Sequence, residues 1–246
     1  MKFQTEKVSI ESNHFAALLG SVAAILTVVT VLTEIVITFF PGGNVQPDSV
    51  KDWFVLLQNS PFLGLRNLGL LNIIIFSLGI PLYYSLYLVH QKTGKALAAL
   101  AMILSFIATA VFLATNRAFS MLDLSSQYFL ASTENQQLTI ESAGSALLAV
   151  GRSHSPGTFI AFFFGNLAGI LMSVVLLQGN IFGAKTSVMG LIGFSILLIF
   201  ELYVLFTSSI VGIAIPLALI GGILNLLWLI NIGIRFYKLQ NIEDFL

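Results

Sequence analysis

Six apolar runs, each about twenty residues long, alternate along this chain of 246 residues with polar stretches, one of which, between the third and fourth runs, is long. A helix needs about 20 apolar residues to cross a hydrocarbon core of roughly 30 Å. The runs are apolar all round, whereas a transmembrane strand alternates apolar and polar residues. The pattern therefore predicts an all-α membrane protein with six transmembrane helices, at residues 15–40, 67–89, 96–115, 157–177, 187–206 and 210–234.

Two further helical patterns lie outside these runs. After the Pro-Gly-Gly sequence at 41–43, apolar residues recur at helical spacing from Val50 to Leu57, which is typical of an interfacial helix. Residues 117–153, between the third and fourth runs, show two amphipathic patterns. We expect them to form a helical hairpin that covers the outer side of the bundle; a mobile loop is the alternative.

The distribution of basic residues predicts the orientation, because cytoplasmic loops of membrane proteins are enriched in Lys and Arg. With the N-terminus inside, the cytoplasmic side collects Lys2, Lys7, Lys92, Lys95, Lys185, Arg235 and Lys238. The other side collects Lys51, Arg66, Arg117 and Arg152. Both termini are therefore predicted in the cytoplasm, and the 117–153 segment outside.

Composition supports one membrane domain over residues 1–246, with the lipid bilayer as its main partner. The chain is 57% hydrophobic and 9% charged, whereas soluble domains carry roughly 25% charged residues. Its formal net charge is zero, so there is no basic face for nucleic acid. It contains no cysteine, which excludes thiol nucleophiles and cysteine-bound zinc.

The candidate chemistry comes from charges within the predicted spans, which are costly in lipid and usually face protein or water. Glu34 and Glu201 lie at matching depth below the outer ends of spans one and five, and Arg66 and Arg117 flank spans two and three on the same side. We expect an outward-facing polar pocket for a small or lipid-like ligand, whose anionic head group the arginines would hold. Its predicted residues are Glu34, Arg66, Asn72, Asn116, Arg117 and Glu201.

Other interpretations of these residues stay open. The carboxylates could pair with the arginines and only lock the bundle, or Glu34 and Glu201 could couple protons in a small-molecule transporter. The asparagines Asn72, Asn166 and Asn225 are interpreted as hydrogen-bond partners between helices.

An intramembrane enzyme is disfavoured, because no nucleophile–base pair lies at depth. His154, flanked by serines, is the one histidine on the outer side, and His90 is placed at the level of the lipid headgroups. No metal-binding spacing is present, so no metal or cofactor is predicted.

Several features together resemble a bacterial multipass family catalogued only as a domain of unknown function. These are Arg66 at the mouth of span two, Asn116-Arg117 closing span three, the long outer segment, and the Gly-rich fourth span before a short loop. The chain departs from that pattern at 179–185, where a proline is expected and none occurs. The resemblance covers most of the chain and implies a multi-pass protein of a bacterial plasma membrane, without an established activity.

Overall fold

The computed structural model of the chain describes residues 2–43, 45, 47–151, 154, 157–207 and 212–240. Within these ranges the protein consists of helices and contains no strand. The helices are α1 (Lys2–Phe39), α2 (Val50–Asn59), α3 (Pro61–Asn67), α4 (Leu70–Val89), α5 (Lys95–Thr115), α6 (Ala118–Leu130), α7 (Glu134–Gly151), α8 (Phe159–Gly179), α9 (Ala184–Thr207) and α10 (Ala214–Leu239).

Six of these helices, α1, α4, α5, α8, α9 and α10, are long and apolar enough to cross a membrane. The prediction of an all-helical protein with six such helices is confirmed. Span two starts three residues later than predicted, because Gly69 adopts a left-handed conformation with φ 97° and separates α3 from α4. The orientation of the termini stays a prediction.

The six long helices form a closed ring in chain order. Each packs against the one before it and the one after it, and α10 packs against α1. Neighbours run antiparallel: Thr109 on α5 donates to the carbonyl of Phe76 on α4 at 2.9 Å, while Asn116, further along α5, donates to the carbonyl of Leu68, just before α4, at 3.2 Å.

Glycines allow the close approach of neighbouring helices in this ring. A Cβ atom on Gly169 of α8 would lie 2.4 Å from the ring of Phe194 on α9. A Cβ atom on Gly190 of α9 would lie equally close to the indole of Trp228 on α10. Small residues have this role at the helix interfaces of membrane proteins.

The shorter helices α2, α3, α6 and α7 pack together at one end of the ring, and we call them the short-helix cluster. Helix α2 begins where the Ser49 side chain accepts the amide of Asp52 at 3.1 Å. The Ser125 hydroxyl of α6 donates to the carbonyl of Phe54 on α2 at 2.8 Å. The core of the cluster includes the buried side chains Trp53, Phe54, Leu57, Met121 and Tyr128. Residues 50–57 and most of 117–153 are thus helical, and their position relative to a membrane surface stays a prediction.

The opposite end of the ring is closed by apolar side chains, and we call it the closed end. It carries the turns after α4 and α8, together with the beginning of α1 and the end of α10. Side chains of the long helices are fully buried there, among them Leu86, Met172, Leu176, Ile232 and Phe236. Because side chains fill this end, the space available for a functional site lies between the middle of the ring and the short-helix cluster.

Candidate functional site

Arg66 and Glu34 form a tight ion pair at the cluster end of the ring. Arg66 lies near the end of α3, where it is 4% exposed, and its Nη2 atom is 2.7 Å from the Glu34 Oε1 atom. Its Nε atom donates to the Glu34 Oε2 atom at 3.1 Å. Both carboxylate oxygens of Glu34 thus contact the guanidinium, and this two-point contact fixes the guanidinium against the last turns of α1.

The remaining donors of Arg66 are also used. Its Nη1 atom donates to the carbonyl of Gly43 at 3.1 Å and to the Asn67 side chain at 2.8 Å. Its Nη2 atom donates to the carbonyl of Glu34 at 2.9 Å and to the Thr38 hydroxyl. A guanidinium has five N–H donors, so none is left for a ligand. Arg66 thus ties the last turns of α1 and the turn at Gly43 to α3.

Glu201 pairs with a histidine instead of an arginine. Its side chain, on α9, is 4% exposed, and its Oε1 atom lies 2.7 Å from the His154 Nδ1 atom. The His154 ring stacks on Phe162 with a centroid distance of 4.4 Å and meets Phe200 edge-on at 5.2 Å. The flanking serines suggested His154 only as a partner for a nucleophilic serine. Its placement on the same side as Glu201 was the available signal for this pair.

Asn116 and Arg117 lie at the junction of α5 and α6. The Asn116 side chain donates to the carbonyl of Leu68 and accepts the amide of Ala118 at 3.0 Å, so it ties this junction to the start of α4. Arg117 is half-buried, and no ion pair or side-chain hydrogen bond joins it to another described residue. The structure therefore brings Glu34 and Arg66 together but places neither Arg117 nor Glu201 in that pair. A ligand shared by all four charges stays a prediction.

A cavity of about 190 Å³ lies inside the ring and receives side chains from all six long helices. Of the six residues predicted for the ligand site, only Asn72 lines it, and none of its lining residues is charged. The lining residues are Thr27, Asn72, Ile75, Phe76, Gly79, Leu82, Tyr83, Ser105, Ala108, Thr109, Phe162, Gly165, Asn166, Phe194, Asn225, Trp228 and Leu229.

Several polar groups around this cavity lack a hydrogen-bond partner among the described residues. Asn166 is 8% exposed and Tyr83 is 7% exposed, yet neither side chain forms a hydrogen bond with another residue that the structure describes. The Asn225 carboxamide also forms no hydrogen bond with another described residue, and the buried Trp228 Nε1 atom has no acceptor among them. Both Asn166 and Asn225 line the cavity, and their interpretation as hydrogen-bond partners between helices stays a prediction.

Phe76 and Phe162 line the cavity on the side of the short-helix cluster, and Phe112 packs against both rings. Phe76 and Phe112 stack at 4.3 Å, and Phe162 meets both rings edge-on at 5.4 and 5.8 Å. Since Phe162 also stacks on His154, this ring connects the cavity wall to the pair formed by His154 and Glu201.

His90 is fully buried in the turn after α4, and its level relative to the lipid headgroups stays a prediction. Its Nδ1 atom lies 2.8 Å from the carbonyl oxygen of Leu86, and its ring stacks on Phe182 at 5.7 Å. Burial lowers the pKa of His90, with the hydrogen bond to Leu86 opposing that shift.

Within the described ranges, no three His, Asp or Glu side chains come together in an arrangement that could hold a metal ion. No family model, curated protein or solved structure matches this chain. The geometry of the ring and its cavity is therefore the basis for a functional assignment.

Proposed function

We propose that this protein is a multi-pass protein of a bacterial plasma membrane that binds a small, mostly apolar molecule in the cavity inside its helix ring. Both termini lie in the cytoplasm, and the short-helix cluster covers the outer face. The observation that carries the proposal is a cavity lined by all six long helices, in which buried polar groups such as Asn166 have no hydrogen-bond partner among the residues that the structure describes. Native proteins rarely leave buried polar side chains unpaired, and each exception requires an explanation.

The size of the cavity supports a single-ring ligand. Its volume is about 190 Å³, and apolar protein cavities of about 150 Å³ bind benzene. The ligand thus lies deeper than the charged layer that the sequence analysis favoured. Glu34 and Arg66 instead hold α1 against α3, because the donors of the arginine are all used within the protein.

The test uses the position of Trp228 in the cavity wall. The chain contains two tryptophans, so a Trp53→Phe background leaves Trp228 as the only indole. Bromobenzene, a heavy-atom quencher, is titrated into this protein in detergent or nanodiscs. Binding in the cavity quenches the fluorescence of Trp228 with a saturable dependence on concentration, whereas partitioning into lipid gives a linear one.

Two glycine variants separate the cavity from the lipid. A Cβ atom on Gly165 meets only Phe76 and Ala108 at 3.8 and 3.9 Å, so Gly165→Val fits and takes up cavity volume. A Cβ atom on Gly222 meets nothing within 4 Å, which makes Gly222→Val the matched control on α10. We expect the first variant to weaken saturable quenching at least tenfold and the second to leave it unchanged. Equal, linear quenching in all the proteins would refute the proposal.

A proton-coupled transporter is the second candidate, and the observation that favours it is the buried Glu201 paired with His154 beside the cavity wall. Transport requires the closed end to open. Since the chain has no cysteine, Ala101→Cys, which is fully buried there, reports on such opening. Labelling of this variant from the cytoplasmic side by a membrane-impermeant thiol reagent supports transport, and persistent protection supports binding alone.

A further inference from the structure

We infer that the ligand of the central cavity is an uncharged, single-ring molecule that carries one hydrogen-bonding group of the carboxamide or hydroxyl type. This inference rests on the proposed function and adds the chemical class of the ligand. It depends on which polar groups face the cavity, which charges are absent from it, and how its walls are shaped.

The unpaired polar groups come from three different helices. Tyr83 belongs to α4, Asn166 to α8 and Asn225 to α10, and all three line the cavity. A carboxamide offers both an NH₂ donor and a carbonyl acceptor, and a phenolic hydroxyl also donates and accepts. A ligand group that itself donates and accepts can therefore satisfy several of these side chains at once.

The absence of charge selects against ionic ligands. None of the residues that line the cavity is charged, so an ionised group inside it would have no counter-ion. Moving an unpaired charge out of water is far more costly than moving a neutral polar group. A carboxylate or an ammonium should thus be excluded, although a neutral molecule of the same shape would fit.

The walls favour a flat molecule. The rings of Phe76, Phe162, Phe194 and Trp228 surround the cavity, and Gly79 and Gly165 contribute no side chain to it. A Cβ atom on Gly79 would have Ser105 as its nearest neighbour, at 3.5 Å, which leaves this part of the wall open. Aromatic rings bind one another by stacking or edge contacts, so an aromatic ligand matches these walls best.

The test compares three probes by quenching of Trp228 in the Trp53→Phe protein. 4-Bromobenzamide and 4-bromobenzoate have nearly the same shape but differ in charge, and bromobenzene lacks the polar group. We expect 4-bromobenzamide to bind at least tenfold tighter than bromobenzene, and 4-bromobenzoate to show no saturable quenching. The linear component of the quenching measures partitioning into lipid and is subtracted.

The contribution of the carboxamide is tested with Asn166→Leu, which keeps the approximate size of the side chain. The matched control is Asn231→Leu on α10, because Asn231 lies outside the cavity lining. The first change should reduce the preference for 4-bromobenzamide over bromobenzene to less than threefold, and the second should leave it intact. Tyr83→Phe, which also removes one hydrogen-bonding group, gives an independent reading if Asn166→Leu does not fold.

The outcomes distinguish the two proposals. Saturable binding of bromobenzene without a preference for 4-bromobenzamide overturns the ligand class but keeps the proposed function. Equal binding of 4-bromobenzoate also overturns the class. If no probe gives saturable quenching, both proposals fail.

Discussion

Replacing Arg66 by methionine tests whether this arginine stabilises the fold or binds a ligand. Methionine keeps a long side chain without the charge. The change therefore removes the ion pair to Glu34 and the hydrogen bonds to Gly43, Thr38 and Asn67. Breaking a buried ion pair from one side typically costs about 3–5 kcal/mol. Because the Glu34 side chain is 33% exposed and water can partly compensate it, we expect the lower end, about 3 kcal/mol.

The assay is thermal unfolding of the purified protein, followed by scanning fluorimetry. For a chain of this size, 1 kcal/mol shifts the midpoint by roughly 2–4 °C, so Arg66→Met should lower it by about 6–12 °C. Arg66→Lys should recover only part of this loss, because an ammonium cannot reproduce the planar fork of the guanidinium.

Arg117→Met is the matched control. Arg117 lies at the same end of the ring, is half-buried, and has no ion pair with another described residue. Its replacement should lower the midpoint by less than about 3 °C, which corresponds to at most about 1 kcal/mol. Equal shifts for the two variants would refute the reasoning. So would an Arg66→Met protein that keeps its midpoint but loses probe binding, since that result would make Arg66 a ligand residue.

Three further results are expected. Burial holds the pKa of His90 below the ordinary histidine value of about 6.5, so the unfolded chain binds the proton at a higher pH than the folded chain does. Stability therefore falls as the pH drops below about 7, and this part of the pH dependence of the unfolding midpoint is lost in His90→Gln. Removing the imidazole in His154→Ala leaves the buried Glu201 side chain without its hydrogen-bond partner and should cost about 2 kcal/mol, whereas Glu201→Gln, which can still hydrogen-bond the imidazole, should cost less than about 1 kcal/mol in the same thermal assay. In intact cells, a membrane-impermeant maleimide should label Ser132→Cys but not Lys92→Cys, both at exposed positions, and the reverse pattern would contradict the predicted orientation.

The six long helices could be predicted from the sequence because hydrophobic length alone specifies a membrane span. Their ends were less predictable, since they depend on local backbone geometry such as the left-handed Gly69. The closure of the ring by α1 and α10 was not predictable. It depends on contacts such as the Ser21 hydroxyl and the carbonyl of Gly233, which lie 212 residues apart in the sequence.

The candidate site shows a similar division. Charged residues in a span can be identified as candidates from the sequence because they are costly in lipid. Two of these candidates, Glu34 and Arg66, do form an ion pair. The cavity, however, is lined by neutral side chains whose sequence signal is weak. The sequence context of an asparagine such as Asn166 is the same whether its side chain hydrogen-bonds a neighbouring helix or lines a cavity. Only the packing of the helices distinguishes the two.

Anomalous scattering from bromine tests the central claim most directly. Crystals of the protein soaked with 4-bromobenzamide should show a bromine peak inside the ring, in contact with the aromatic wall that contains Phe76 and Phe162. The apolar groove between α1 and α10, lined by residues such as Ile25 and Ile234, is the internal control for binding to lipid-facing surface. A peak in the cavity is the predicted result, and bromine found only in that groove would contradict the account.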